Sequence, residues 1–230
     1  MDIYKEFVCL ASSIKNTSRC IAGKEIKGDT VGKWIRPVCD AEYTELAEVE
    51  RRYQNGTTPE LLDVIGVHFK EHIAHPAQDE NYAIDDTYYW EKKRQVWKDF
   101  SSMLDTPPSL WDNGYSSDSG ENDRVPVANI TEPGQSLYFV SPSNLKIIVS
   151  TEGVEFNNEI RKISAQFEYN DVTYLLLVTD PDIETDYLEK GDGTYQLAGE
   201  IYLTISFGDE SNNYYYKLVA GIIEIKTKKR

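Results

Sequence analysis

Between residues 136 and 225, apolar and β-branched residues recur in short runs separated by turn residues, and this texture constrains the fold more than any other feature. The runs are 136–140, 145–149, 160–169, 172–179, 201–207 and 214–225. Asn170-Asp171 reads as a hairpin turn between two of them, and 208–213 separates another pair. Five or six strands at regular spacing predict a small barrel or a sandwich.

The first half mixes signals. Strands are expected within 3–11, around Ile21, over 34–38 and over 64–67, with Gly28, Asp29 and Gly32 marking tight turns. Helical spacing of Leu46, Val49 and Tyr53 predicts a helix over 43–53, stopped by Asn55-Gly56. Thr58-Pro59-Glu60 reads as a capped entry to a short helix over Leu61 and Leu62. The stretch 68–83 reads as extended. A longer helix is expected over 86–104, with Tyr89, Trp90, Trp97, Phe100 and Leu104 near one stripe. The polar, glycine-punctuated segment 113–123 reads as a long loop whose length suggests a function. The expectation is therefore a mainly β chain with helical insertions (α+β), made of two small β-rich domains, 1–130 and 131–230.

Charge limits the partners. Among 230 residues, 39 acids against 24 lysines and arginines give a net charge of -15, which repels unspecific contact with nucleic acid or anionic lipid. Any nucleic-acid binding must be local. Three cysteines without CxxC spacing argue against a disulfide framework or a zinc knuckle. The start MDIYKEF lacks an apolar leader, and no run is long enough for a membrane span, so a cytoplasmic protein without membrane contact is expected. The basic tail at 226–230 reads as a solubilising end.

The segment 19–39 is the cationic exception. Arg19, Lys24, Lys27, Lys33 and Arg36 gather around Trp34, and strand alternation puts Trp34 and Arg36 on one face, where a ring could stack on a base beside a cation on phosphate. The bland alternative buries Trp34 and pairs Arg36 with one of the many acids.

The runs CLASSIK, SRCIAGKEI, GKWIRPV, ENYAID, LWDNG, NDRVPV, VTDP, GEIYLTISFG and YYKLVAGII, in that order, resemble the dual OB-containing domain family of bacterial proteins. The resemblance implies two consecutive OB-like small β-barrels and a role in recognising nucleic acid or nucleotides within prokaryotic defence or conflict systems; a module of that kind is expected to act as sensor or adaptor for a protein effector partner. The matching polar positions are Lys15, Arg19, Lys24, Trp34, Arg36, Asn122, Asp123, Arg124, Thr179 and Asp180. Ser18 departs from the pattern, which has glycine before the arginine; serine there disfavours a positive φ.

The expected ligand-binding residues are accordingly Lys15, Arg19, Lys24, Lys33, Trp34, Arg36, Asn122, Asp123 and Arg124. For Asn122, Asp123 and Arg124 a structural salt bridge is the competing account, and Thr179-Asp180-Pro181 reads most simply as a turn. On an extended chain His68 and His72 share one face while His75 points to the other, and no cysteine accompanies them, so no metal site is expected. Asp182 with Glu224 and Lys226 imitates a PD…ExK nuclease, a cheap match in so acidic a chain. No nucleophile elbow, phosphate loop or dinucleotide motif is present, and no cofactor is expected. The reading is a non-catalytic recognition module, the alternatives being an acidic protein-interaction scaffold and a metal-dependent nuclease.

Overall fold

The computed structural model describes residues 3–15, 18–39, 46–73, 75–96, 100–131, 134–153 and 159–225. It contains two compact units. One comprises Met1–Leu104 with Ile130–Leu137, the other Asp105–Asn129 with Tyr138–Arg230.

In the first unit six strands form one sheet: β1 (Ile3–Lys15), β2 (Ser18–Lys27), β3 (Thr30–Val38), β4 (Asp63–His72), β5 (Asn81–Ile84) and β6 (Glu91–Gln95). Their order is β1-β2-β3-β5-β4, and β4 pairs back onto β1, so five strands close a ring. Within it β3 and β5 are parallel, and the other pairs are antiparallel. This is the strand order of an OB-type Greek-key barrel. Closure brings β1 and β2 so near that a Cβ on Gly23 would lie 1.9 Å from the Val8 carbonyl oxygen, which restricts that position to glycine.

Alternation fills the interior. Phe7, Cys9, Ile21, Ile35, Ile65, Val67, Phe69 and Ile84 point inward, joined by Leu46, Tyr53 and Trp90 from outside the ring. Between β3 and β4 the described chain holds a 3-10 turn at Glu48–Arg51 in place of the helix expected over 43–53, part of which lies outside the described residues. Leu61 and Leu62 form a turn rather than a helix. The helix expected over 86–104 is replaced by β6 and a 3-10 turn at Ser101–Met103, with 97–99 outside the described residues. The aromatic spacing that suggested it does not mark one helical face: Trp90 and Phe100 are buried, while Tyr89 is exposed.

The second unit holds β7 (Arg124–Pro126), β9 (Ser143–Glu152), β10 (Ile160–Tyr169), β11 (Val172–Val178), helix α1 (Pro181–Leu188), β12 (Gly193–Gln196), β13 (Glu200–Ser211) and β14 (Tyr214–Ile225). β8 (Leu137–Val140) ends the sheet path β12-β9-β10-β11-β14-β13-β8. The inner order β9-β10-β11-β14-β13, with β11 and β14 parallel, repeats the order of the first barrel. Two tight turns are specified locally: Asn170 and Asp171 (φ 48° and 61°) and Asn212 and Asn213 (φ 52° and 64°) sit in the left-handed region that suits hairpins.

α1 lies where a turn was expected. Asp180 caps it, its Oδ1 accepting from the amides of Asp182 (3.0 Å) and Ile183 (3.4 Å) while Oδ2 accepts from Ile222 (2.9 Å). Ile183 and Tyr187, one helical turn apart, pack on the core of Ile147, Ala165, Leu176, Leu203, Ile205 and Val219.

Candidate nucleic-acid interface

OB-type barrels bind ligands on the outer face of their second and third strands. In the first unit these are β2 and β3, and Lys24 lies opposite Trp34 in the register. Both side chains point outward, yet both are buried, Trp34 being only 3% exposed. The Lys24 ammonium lies 5.5 Å from the Trp34 ring centroid. The chain itself covers this face. Arg36 donates to Ser136 Oγ at 2.8 Å and pairs with Glu80 at 3.4 Å. Ser136 donates its hydroxyl to Glu80 Oε1 and its amide to Oε2 (3.3 Å), and the Asp79 amide donates to Gly134 O at 3.1 Å. Segment 134–137 is thus a strap laid over β3 and laced to the β4–β5 loop.

The expectation of an open stacking platform at Trp34, flanked by phosphate-binding Lys24 and Arg36, is corrected accordingly. The indole is sealed, Lys24 is turned onto it, and the guanidinium is engaged by a carboxylate. Arg19 is half-buried, donating to Ser12 O and Oγ at 3.4 Å. The Lys15 side chain lies outside what is described. Lys33 remains exposed, at the rim of a shallow pocket of about 140 Å³ shared with Trp34, Asp79, Glu80 and Gln135. Two acids on that rim offset the lysine.

In the second unit the equivalent face, on β10 and β11, keeps a pocket beneath a loop. Register places Ser164 opposite Leu177 and Leu177 beside Leu218, a row across three strands. Leu177 is 41% exposed, unusual for a leucine mid-strand. Loop 112–123 arches over this row and is tied to β11 by reciprocal bonds between Glu121 and Leu175 (3.1 and 3.0 Å). A pocket of about 220 Å³ lies between, lined by Ser117, Ser119, Gly120 and Asp123 above and by Lys162, Ser164, Leu175, Leu177, Tyr216 and Leu218 below, with Lys217 also at its wall.

The loop's shape follows from its sequence. Asp123 accepts from the Ser117 amide (2.7 Å) and the Ser117 hydroxyl, so it ties the arch internally. A Cβ on Gly120 would fall 2.1 Å from Asp123 Oδ2, so the close pass needs glycine. Asn122, at φ 50°, accepts from the Gly114 amide (2.7 Å) and donates to Thr173 O (2.9 Å). Of the expected ligand residues here, Asn122 and Asp123 therefore shape the loop. Arg124, opposite Tyr216 in the register, stacks its guanidinium 4.3 Å from the Tyr214 ring centroid. Lys162 pairs with Glu152 at the rim.

Lys162, Ser164, Leu177 and Tyr216 were not singled out from the sequence. The only signal that pointed to them was the length of the loop that covers them.

Other candidates separate. His68 stacks on Tyr88 at 4.1 Å, His72 Nε2 lies 2.6 Å from Asp79 O, and His75 Nδ1 accepts from the Ala77 amide at 3.1 Å. Among the described residues no three His, Cys, Asp or Glu side chains gather to hold a metal ion. Asp182 is in the first turn of α1 and Glu224 near the end of β14, while Lys226 lies outside the described residues. Cys9, Cys20 and Cys39 form no disulfide. No helix among the described residues is long and apolar enough to cross a membrane.

A model of the dual OB-containing domain family matches residues 5–222. No curated protein and no solved structure matches the chain.

Proposed function

Since the chain belongs to the dual OB-containing domain family, a fold class that commonly binds nucleic acids, we propose that it is a non-catalytic module recognising single-stranded nucleic acid or nucleotides on the β10–β11 face. One observation carries this: that face holds a pocket of about 220 Å³ with a leucine floor, serine hydroxyls and Lys162, whereas a strap covers the matching face of the first unit. An apolar floor with an adjacent ring suits a base, while hydroxyls and a lysine suit phosphate or sugar. Tyr216 and Arg124, beside the pocket, extend the stacking surface. The acidic molecule confines binding to this patch. Family resemblance extends the reading to a cytoplasmic sensor or adaptor that reports to a protein effector in a prokaryotic defence system.

The test is fluorescence anisotropy with labelled single-stranded DNA, single-stranded RNA and mononucleotides. Lys162→Glu combined with Leu177→Asp changes a half-buried rim lysine and an exposed leucine, leaves the core alone, and is expected to weaken binding at least tenfold with a melting temperature close to the parent's. Lys33→Glu, at the rim of the smaller pocket, is expected to leave binding unchanged. If the parent chain binds nothing in the panel, or Lys33→Glu is the damaging change, the assignment to β10–β11 fails.

A further inference from the structure

Lys217 is the one lysine of the second barrel directed into its interior among the described residues, and it is 1% exposed. Its cross-strand neighbour on β13 is Phe207, and its ammonium lies 5.3 Å from the Tyr174 ring centroid on β11. The residue holds both ends of loop 112–123. Its Nζ donates to Asp112 O (2.7 Å) and Asn113 Oδ1 (3.3 Å) at the start, and its backbone amide donates to Asp123 O (2.7 Å) at the end. Between these points hang Ser117, Ser119 and Gly120, which roof the pocket.

We propose that loop 112–123 is a latch over the β10–β11 pocket, fastened by Lys217, and that opening it takes up a proton, so that access to the pocket is acid-sensitive. The proposal rests on the recognition reading only for what enters the pocket; the latch itself stands on the geometry. Opening that lifts residues 112 and 113 takes both acceptors away from the amine and lets water reach it. Burial pushes the closed-state pKa down to about 7, against the pull of the Asp112 and Asp123 carboxylates, while a hydrated lysine titrates near 10.5. Tyr174, the other titratable group against it, has its own pKa raised by burial and stays neutral in this range. Between the two lysine values the closed form holds a neutral amine and the open form an ammonium. Lowering the pH through that window therefore favours opening, and below about 7 the dependence ends because both forms are charged.

Amide hydrogen exchange of the loop in the full chain, corrected for the intrinsic pH dependence of exchange, tests this. From pH 9 to pH 8 the opening equilibrium is expected to rise about tenfold, as uptake of one proton requires, and the rise is expected to flatten towards pH 7. Lys217→Met, and Lys217→Gln should the first variant fold poorly, are expected to flatten that slope. A parent loop whose protection is constant across the window, or a variant that keeps the parent slope, overturns the latch. Binding of the labelled oligonucleotides is read in parallel. Pocket opening that follows pH while no oligonucleotide or nucleotide binds would uphold the latch and sink the recognition reading.

Discussion

Trp34 and Arg36 alternate onto one side of β3, as strand periodicity requires, and that side is roofed by Ser136 and Glu80. The shared face was legible in the sequence. Its cover was not, because Ser136 lies 100 positions from Arg36 and no local pattern reports so distant a contact. Replacing Trp34 by Ala and Arg36 by Glu is therefore expected to act on stability rather than on a ligand. The change removes a buried indole and sets a carboxylate against Glu80, each worth roughly 3–5 kcal/mol. Chemical denaturation is expected to show the loss, while residual folded protein is expected to keep whatever binding the β10–β11 face of the parent shows. Asp123 teaches the converse. Its polar neighbourhood suggested a ligand contact, but its oxygens are engaged by Ser117, and Gly120 makes room for them. Gly120→Ala is expected to dislodge the arch and to speed amide exchange along the loop while the barrel melts nearly unchanged, as hydrogen exchange and calorimetry together would report.

Among the elements, β10, β11 and β14 were readable residue by residue, since alternation and Asn-Asp or Asn-Asn turns repeat every few positions. Helix α1 was not. Half of its eight residues are acidic or polar, and Ile183 and Tyr187 alone pack on the core, too short a pattern to separate from a turn. β6 was misread in the opposite direction, since a charged run beside aromatic residues mimics an amphipathic helix, whereas its charges serve an exposed edge strand. The cap of α1 gives a prediction at this scale. Burial pushes the Asp180 carboxyl pKa up, while the amides of Ile222, Ile183 and Asp182 pull it down. Asp180→Ala removes the helix cap and leaves the Ile222 amide, in the middle of β14, without that acceptor. A loss of roughly 2–4 kcal/mol is expected from the cap and the stranded donor. Asp180→Asn retains an acceptor oxygen and is expected to lose less, as midpoints of urea unfolding would show.

At the level of the whole molecule, composition announced a change of texture near residue 130, but the compact units take the flanking segments crosswise: 105–129 belongs with the second and 130–137 with the first. A single cut in the sequence does not describe that division, because membership is decided by which barrel each segment packs on. The net charge of -15 has a measurable consequence for binding. On the proposed reading Lys162 at the pocket and Arg124 beside Tyr216 would engage one or two phosphates of a single strand, so the logarithm of affinity is expected to fall with the logarithm of salt at a slope of about -0.7 to -1.4. A steep slope, measured by anisotropy from low to high salt, would place binding on a broad basic surface instead. Finally, both ends of the arch over β10 and β11 are moored to one residue, Lys217. Glu121 and Asn122 add ties to β11, so what is left to vary is the short tip before them, much like an exchangeable cassette: substitutions there are expected to reshape the pocket's roof without disturbing the scaffold that displays it.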